Sequence, residues 1–289
     1  MADVKTTASV LGDSQIALMD QAFQVEAGDR IVADQFASYR RSIGAKSIDF
    51  VKYSKMDYAV TELTDGSDVD AVAMADSKVT FTPKEYGNVV TKTSLASLQS
   101  GGKADLGASQ VVARNMAESL NRLACLSLQG SANNKDGSSA NITEALLDAV
   151  FFELNNKNAE RWDGDAYVCM CHPAVAQDIA GFSAWKDVQK YADAMPILRN
   201  EVGFYKGFRF ISSTGMPFTD ADPDVHESAF FGRNAFGKAE SQSAEMRITG
   251  PFDKLGRMLN IGWYWVGDYG IVDQDSLWSV QSLSSYVAS

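Results

Sequence analysis

Val112, Met116, Leu120 and Leu123 recur at three- and four-residue spacing between the breaker Gly101-Gly102 and Gly130. That period lays one apolar stripe along a helix of roughly six turns, with Asp105 placed to cap it. No other segment constrains the fold as strongly, because a stripe of that length must be covered by the rest of the chain.

Ahead of this helix the pattern is of another kind. Residues 1–45 carry few signals beyond Phe36, Tyr39 and the pair Arg40-Arg41, and read as an extended arm with one short helix. From Lys46 to Thr93 the runs are short and β-type: Val51 and Tyr53 alternate with polar neighbours, as do Val79 and Phe81. Between them Glu62 to Asp76 holds five acids and no base, with the turn pair Asp65-Gly66. Such a segment reads equally as a long projecting hairpin whose tip meets water or a partner and as a solvated loop.

Behind the helix, Gly130 to Ala140 is a polar loop and a natural domain boundary. Asn141 can cap a helix lined by Leu146, Leu147, Val150 and Leu154, and Ala166 to Cys171 reads as a buried strand. Pro173 is suited to the first position of a further helix containing Val175 and Ile179. Trp185 to Met195 reads as another, stopped by Pro196. Ile197 to Thr214 then runs from a helix end through Gly203 and Gly207 into an aromatic strand, Phe208 to Ile211. An acidic loop from Thr219 to Asp224 is followed by strands to the C-terminus. In one of these, Ile261, Trp263 and Trp265 share a face and Tyr264 and Val266 the other, the pattern of a strand covered on both sides.

Motifs that suggest chemistry do not survive inspection. Gly232-Arg-Asn-Ala-Phe-Gly-Lys-Ala239 nearly matches a phosphate-binding loop, but Ala239 lacks the magnesium-ligating hydroxyl, so a glycine-punctuated strand turn is expected. Cys169-Met-Cys-His172 offers two thiols on one strand face. A zinc site needs four ligands, and the other histidine, His226, lies in a different segment, so a buried core strand is expected. Asp220-Ala-Asp-Pro-Asp224 begins like a calcium loop, but Val225 and Phe231 occupy the positions where glycine and glutamate belong. There is no Gly-x-Ser-x-Gly elbow and little histidine for a triad. No catalytic residue, cofactor or metal is expected.

With 289 residues the chain can build two modest domains or one large one, and its net charge of −11 disfavours sequence-independent nucleic-acid binding and anionic membranes. No apolar run approaches the ~20 residues of a membrane helix. The start, Met1-Ala-Asp-Val-Lys5, does not read as a signal peptide, and three cysteines fit a reducing compartment. An intracellular protein is expected.

The order of these segments resembles tailed-phage major capsid proteins with the Hong Kong 97 shell fold, and is similar to the branch typified by coliphage N-four. The matching stretches are the Asp105 to Gly130 helix, Cys171-His-Pro-Ala-Val175, Ile197 to Ser213, Phe231-Gly-Arg-Asn-Ala-Phe-Gly237, and Asp253-Lys-Leu-Gly-Arg257 with Gly262-Trp263. The likeness runs from about residue 85 to the end and is weak in the arm.

What the resemblance implies is an α+β fold. Residues 1–45 would be an N-arm and 46–84 an extended hairpin loop lying over a neighbouring subunit. Residues 85–140 with 229–289 would form a peripheral domain carrying the spine helix, and 141–228 an axial domain. The implied function is that of a structural protein that is no enzyme. It would assemble as hexamers and pentamers into an icosahedral shell around double-stranded DNA, which an acidic wall does not bind. A separate scaffolding protein and a portal would be its partners, the host bacterial cytoplasm its place of assembly, and the virion capsid its location. The arm begins almost at Met1, so no cleaved N-terminal extension is expected. The covalent lysine–asparagine cross-link of the type member has no counterpart that can be aligned here. Inter-subunit contacts are expected at Glu62, Asp65, Asp68 and Asp70 of the acidic tip, facing Arg40 and Arg41, with Arg30, Lys46, Lys52 and Lys55 as further bases. An encapsulin-like compartment holding enzyme cargo, or a small-molecule enzyme, are the alternative readings.

Overall fold

The computed structural model describes residues 31–286 other than 57, 61, 64, 67, 69–70, 102, 163, 165, 183–200, 221–222 and 252, and leaves out the Glu201 side chain. Residues 1–30 of the expected arm (Arg30 included), Asp70 of the acidic tip, and the helix expected over Trp185 to Met195 lie outside these residues.

The expected long helix is α2 (Lys103–Gln129), preceded by the short α1 (Ser94–Gln99). At 27 residues α2 is about 40 Å long. Val112, Met116 and Leu120 are buried along it with Ala113, Ala117, Ala124 and Leu128, and Leu123 packs at the margin. Asp105 does not cap it. The helix starts before it, and its nearly buried carboxylate takes Lys92 and the Ser97 hydroxyl instead.

Four strands make the sheet that covers the first half of α2: β1 (Ser38–Arg41), β4 (Lys84–Thr93), β11 (Phe236–Thr249) and β12 (Met258–Ile271), in the order β1-β11-β12-β4. Ile261, Trp263 and Trp265 of β12 are buried in the core shared with α2, and Trp263 Nε1 donates to Asn115 Oδ1 of the helix at 2.9 Å. Tyr264 and Val266 are only half-buried, so the strand is covered on one face rather than both. Arg247 lies 3.9 Å from the Tyr264 ring there, a cation–π contact in place of an apolar layer.

The second sheet is covered on both faces. Its order is β5 (Asn134–Asn141), β13 (Leu277–Leu283), β10 (Val225–Phe231), β6 (Tyr167–Cys171), β8 (Phe208–Ser212) and β7 (Glu201–Tyr205), with β9 (Phe218–Thr219) also on β10. Val168, Met170, Ala229 and Phe231 turn toward α2, while Tyr167, Cys169, Cys171 and Phe230 turn the other way. On that other side they meet α3 (Glu144–Asn156) and α4 (Pro173–Ala180) through Leu147, Val150, Leu154, Val175 and Ile179. The unbroken apolar run of β6 follows from this placement, since each alternate residue has its own core to enter.

Three readings of the second half are corrected. Gly130 to Ala140 is no boundary loop: Asn134 to Asn141 is an edge strand parallel to β13. Its residues are polar because much of their surface faces water, and the strand is held by backbone bonds that leave no mark in the side chains. Thr143, not Asn141, caps α3 and accepts from the Leu146 N–H at 3.3 Å. And because β5 and β13 pair into the sheet built around β6 and β8, that sheet crosses the expected division at 140 and 229. Pro173 does open its helix, behind His172 as the cap.

The end of the arm belongs to the body. Val32, Ala33 and Phe36 are buried in the α2 core, and Phe36 meets Trp162 and Phe231 edge-on at 5.2 and 5.8 Å. β1 then runs parallel to β11.

Candidate assembly surface

A hairpin leaves this body. Its stem is β2 (Ile48–Tyr53) against β3 (Asp76–Phe81), antiparallel with Ile48 opposite Phe81 and Tyr53 opposite Asp76. The root is apolar. Ile48, Phe50, Phe81 and Ala239 form their own small core, with the Phe50 and Phe81 rings 4.8 Å apart. These rings lie over Gly237 and Gly270, which face each other in the β11–β12 pair. A Cβ on Gly270 would stand 2.6 Å from the Phe81 ring, and one on Gly237 3.0 Å from Phe50. Only a bare backbone lets the rings seat so closely.

Charges fix the root further. Lys52 pairs with Asp273, and Lys78 with Asp49 at 3.2 Å. Burial raises the Asp273 carboxyl, but hydrogen bonds from Lys52 and Ser276 outweigh it, so its pKa lies below the usual carboxylate value. Asp49 is lowered as well, first by the Thr80 hydroxyl and then by Lys78. Arg40 donates to the Asp49 carbonyl and sits 5.4 Å from the Phe50 ring, and Lys55 donates to the Asn158 carbonyl at 3.4 Å.

These contacts narrow the expected set of bases. Lys52, Lys55 and Arg40 are engaged within their own chain, which leaves Arg41 and Lys46 exposed and turned to solvent. Glu62, Asp65 and Asp68 are exposed at the tip, and Asp65-Gly66 makes a turn there, with Gly66 at φ 76°.

Sequence reasoning missed the apolar part of the hairpin. Val51 and Tyr53 of the stem face outward, and beyond them Met56, Tyr58 and Val60 are 65, 86 and 87 % exposed. Leu63, Val72 and Met74 are exposed too. The every-second-residue spacing of Met56, Tyr58 and Val60 carried the signal, masked by the conspicuous acids beside it. Among the described residues these apolar side chains have no core of their own to enter, and they stand exposed on a thin projection.

Gly232 to Ala239 runs from β10 through a turn into β11, with no helix after it, so it cannot cradle a phosphate. Gly232 is required there because the Glu160 carbonyl approaches within 2.3 Å of where a Cβ would sit. Cys125, Cys169 and Cys171 are free and buried; burial pushes the Cys125 thiol up to about 12 and the Cys169 thiol well above its ordinary value. Among the described residues no group of three or more ligating side chains could hold a metal, and no helix is long and apolar enough to cross a membrane. His172 and His226, from separate segments, do meet, with ring centroids 4.9 Å apart.

Comparison with known proteins points one way. The profile of a family described as "Phage capsid protein" matches residues 133–244. A sequence search of curated proteins finds no match. Among solved structures, the chain is similar to that of the head of Helicobacter pylori bacteriophage KHP40, with a TM-score of 0.69 at 12 % identity over 98 % of this chain and 95 % of that one. The capsid of Ralstonia phage GP4 gives 0.69 at 11 % identity, covering 90 % and 91 %. A virus-like particle from Pyrococcus furiosus gives 0.59 at 9 % identity, covering 91 % and 97 %. The fold is the Hong Kong 97 type, α+β as expected.

Proposed function

We propose that the chain is the major capsid protein of a tailed bacteriophage, a shell subunit that assembles as hexamers and pentamers into an icosahedral capsid around double-stranded DNA. The observation that carries this is the hairpin: rigidly rooted on Gly237 and Gly270, yet apolar and exposed over Met56, Tyr58 and Val60 where it leaves the body. The fold likeness to phage heads supports the same reading. In this reading the α2 sheet is the peripheral domain, the β6 sheet the axial domain, 46–84 the extended loop, and 1–45 the arm, anchored at its end by β1. The order of motifs supports a place near the coliphage N-four branch.

The work is mechanical. Each hairpin lies across a neighbouring copy, and such contacts build interfaces of the ~2,000–5,000 Å² found in obligate assemblies. A separate scaffolding protein, a portal and assembly in the host cytoplasm complete the proposal. Likeness to the Pyrococcus furiosus particle favours a second reading, a protein compartment filled with enzyme cargo.

Electron microscopy of the expressed protein tests both readings. Closed shells or capsomers are expected; a monomer across micromolar concentrations, with and without a scaffolding partner, overturns them together. DNA inside particles from infected cells separates the first from the second.

A further inference from the structure

The chain has two histidines, and the fold stacks one on the other. His172 caps α4, its Nδ1 accepting the Ala174 N–H at 3.3 Å, so that nitrogen carries no proton. Its ring lies 4.9 Å from that of His226 on β10, with the planes 22° apart. Phe218 of β9 packs against both, at 5.7 and 5.6 Å. His226 is fully buried, and among the described residues neither of its ring nitrogens has a hydrogen-bond partner. Charged groups near the pair are Arg122 of α2, Asp178 of α4 and Asp224 ahead of β10. The Asp178 carboxylate already accepts the Ser284 hydroxyl and the Ser285 N–H, which ties the chain after β13 to α4.

We infer that the stacked His172–His226 pair is a proton-sensitive joint, holding α4 against β9 and β10 while both rings are neutral and releasing it when they take up protons. Three effects act in the same direction. Two imidazolium rings stacked face to face repel. A proton on His172 Nδ1 turns the acceptor of the α4 cap into a donor facing another donor. And His226, with none of its surface exposed, would carry a charge away from bulk solvent.

Burial holds both rings below the ordinary imidazole pKa of about 6.5; for His172 the neighbouring His226 and Arg122 add to this, while Asp224 opposes it at both rings and Asp178 at His226. The unfolded chain therefore binds protons more readily than the folded one as pH falls below that value. The joint's contribution is complete above about pH 6.5 and is lost progressively below it.

The test is a titration of the whole protein with 13C-labelled histidine rings, where two histidines give two resonances. Both rings are expected to titrate below the ordinary value. Amide exchange in α4, β9 and β10 is expected to quicken over the same pH interval. In the double variant His172→Asn with His226→Phe, Asn keeps a cap acceptor and Phe keeps the stack, so this exchange should stop responding to acid. Rings that titrate at the ordinary value, exchange that stays level while they titrate, or a double variant with the wild-type acid response would each overturn the inference. The ring titration stands without the variant, and none of these measurements depends on shell formation.

Discussion

Asn121 Nδ2 donates to Ser213 Oγ at 2.8 Å, joining the long helix to the chain just after β8. The same carboxamide accepts the backbone N–H groups of Val32 and Ala33 through Oδ1, at 3.1 and 3.0 Å. One buried side chain thus ties three segments together: the end of the arm, the helix and the second sheet. Asn121→Ala leaves those two N–H groups and the Ser213 hydroxyl without their partner in a dry core. We expect it to cost about 3 kcal/mol in chemical denaturation, with Asn121→Asp retaining part of this because its oxygen still accepts from 32 and 33.

The glycine pair at the hairpin root gives a different kind of prediction. Gly237→Ala and Gly270→Ala push a methyl into the Phe50 and Phe81 rings. The subunit core around α2 is separate from these rings, so circular dichroism should report a folded protein. The hairpin, tilted off its seat, should miss its neighbour, and particle yield by electron microscopy should fall at least tenfold. Normal shells from both variants would show that the root does not set the hairpin's direction.

How far the sequence announced all this depends on which force makes each element. The long helix and strands β6, β8 and β12 were legible because apolar side chains have to be buried, and burial imposes a period. β5 was not legible, since an exposed polar edge strand is held by its backbone alone. Its pairing with β13 moved the sheet boundary with it. The hairpin was legible in outline from its two alternating stems and Asp65-Gly66. Its apolar contact face was not, because exposed Met56, Tyr58 and Val60 look no different in sequence from a buried strand. Nor could sequence reveal that His172 and His226 touch, as they belong to elements brought together only by packing.

Lys92 and Asp105 pair at the joint of β4 and α2, with side chains 10 and 11 % exposed. Removing one partner leaves the other charge with little water. Lys92→Met should therefore destabilise the subunit by about 3–5 kcal/mol, whereas Lys92→Met with Asp105→Leu should recover most of that loss. Thermal and denaturant unfolding of the two variants decides this. Equal losses in both would mean that packing at the joint matters more than its charges.

The hairpin tip poses a choice between charge and apolar contact. In the proposed shell Asp65, Asp68 and Asp70 would supply the first, toward Arg41 and Lys46 of another copy, and Met56, Tyr58 and Val60 would supply the second. An exposed ion pair contributes ~0–1 kcal/mol and is screened by salt, while burying an apolar side chain contributes roughly 1.5–3 kcal/mol and is not. The triple change Met56→Ser, Tyr58→Ser and Val60→Ser should therefore abolish shell formation at any salt concentration. Asp65→Ser, Asp68→Ser and Asp70→Ser together should lower the yield only moderately, and make it less dependent on salt. Light scattering of both variants between low and high salt gives the comparison, with circular dichroism as the control for folding. If the serine-for-aspartate variant assembles like the wild type at every salt concentration, the acidic tip is a solvated turn. If the apolar variant assembles normally, the hairpin does not grip its neighbour through this face.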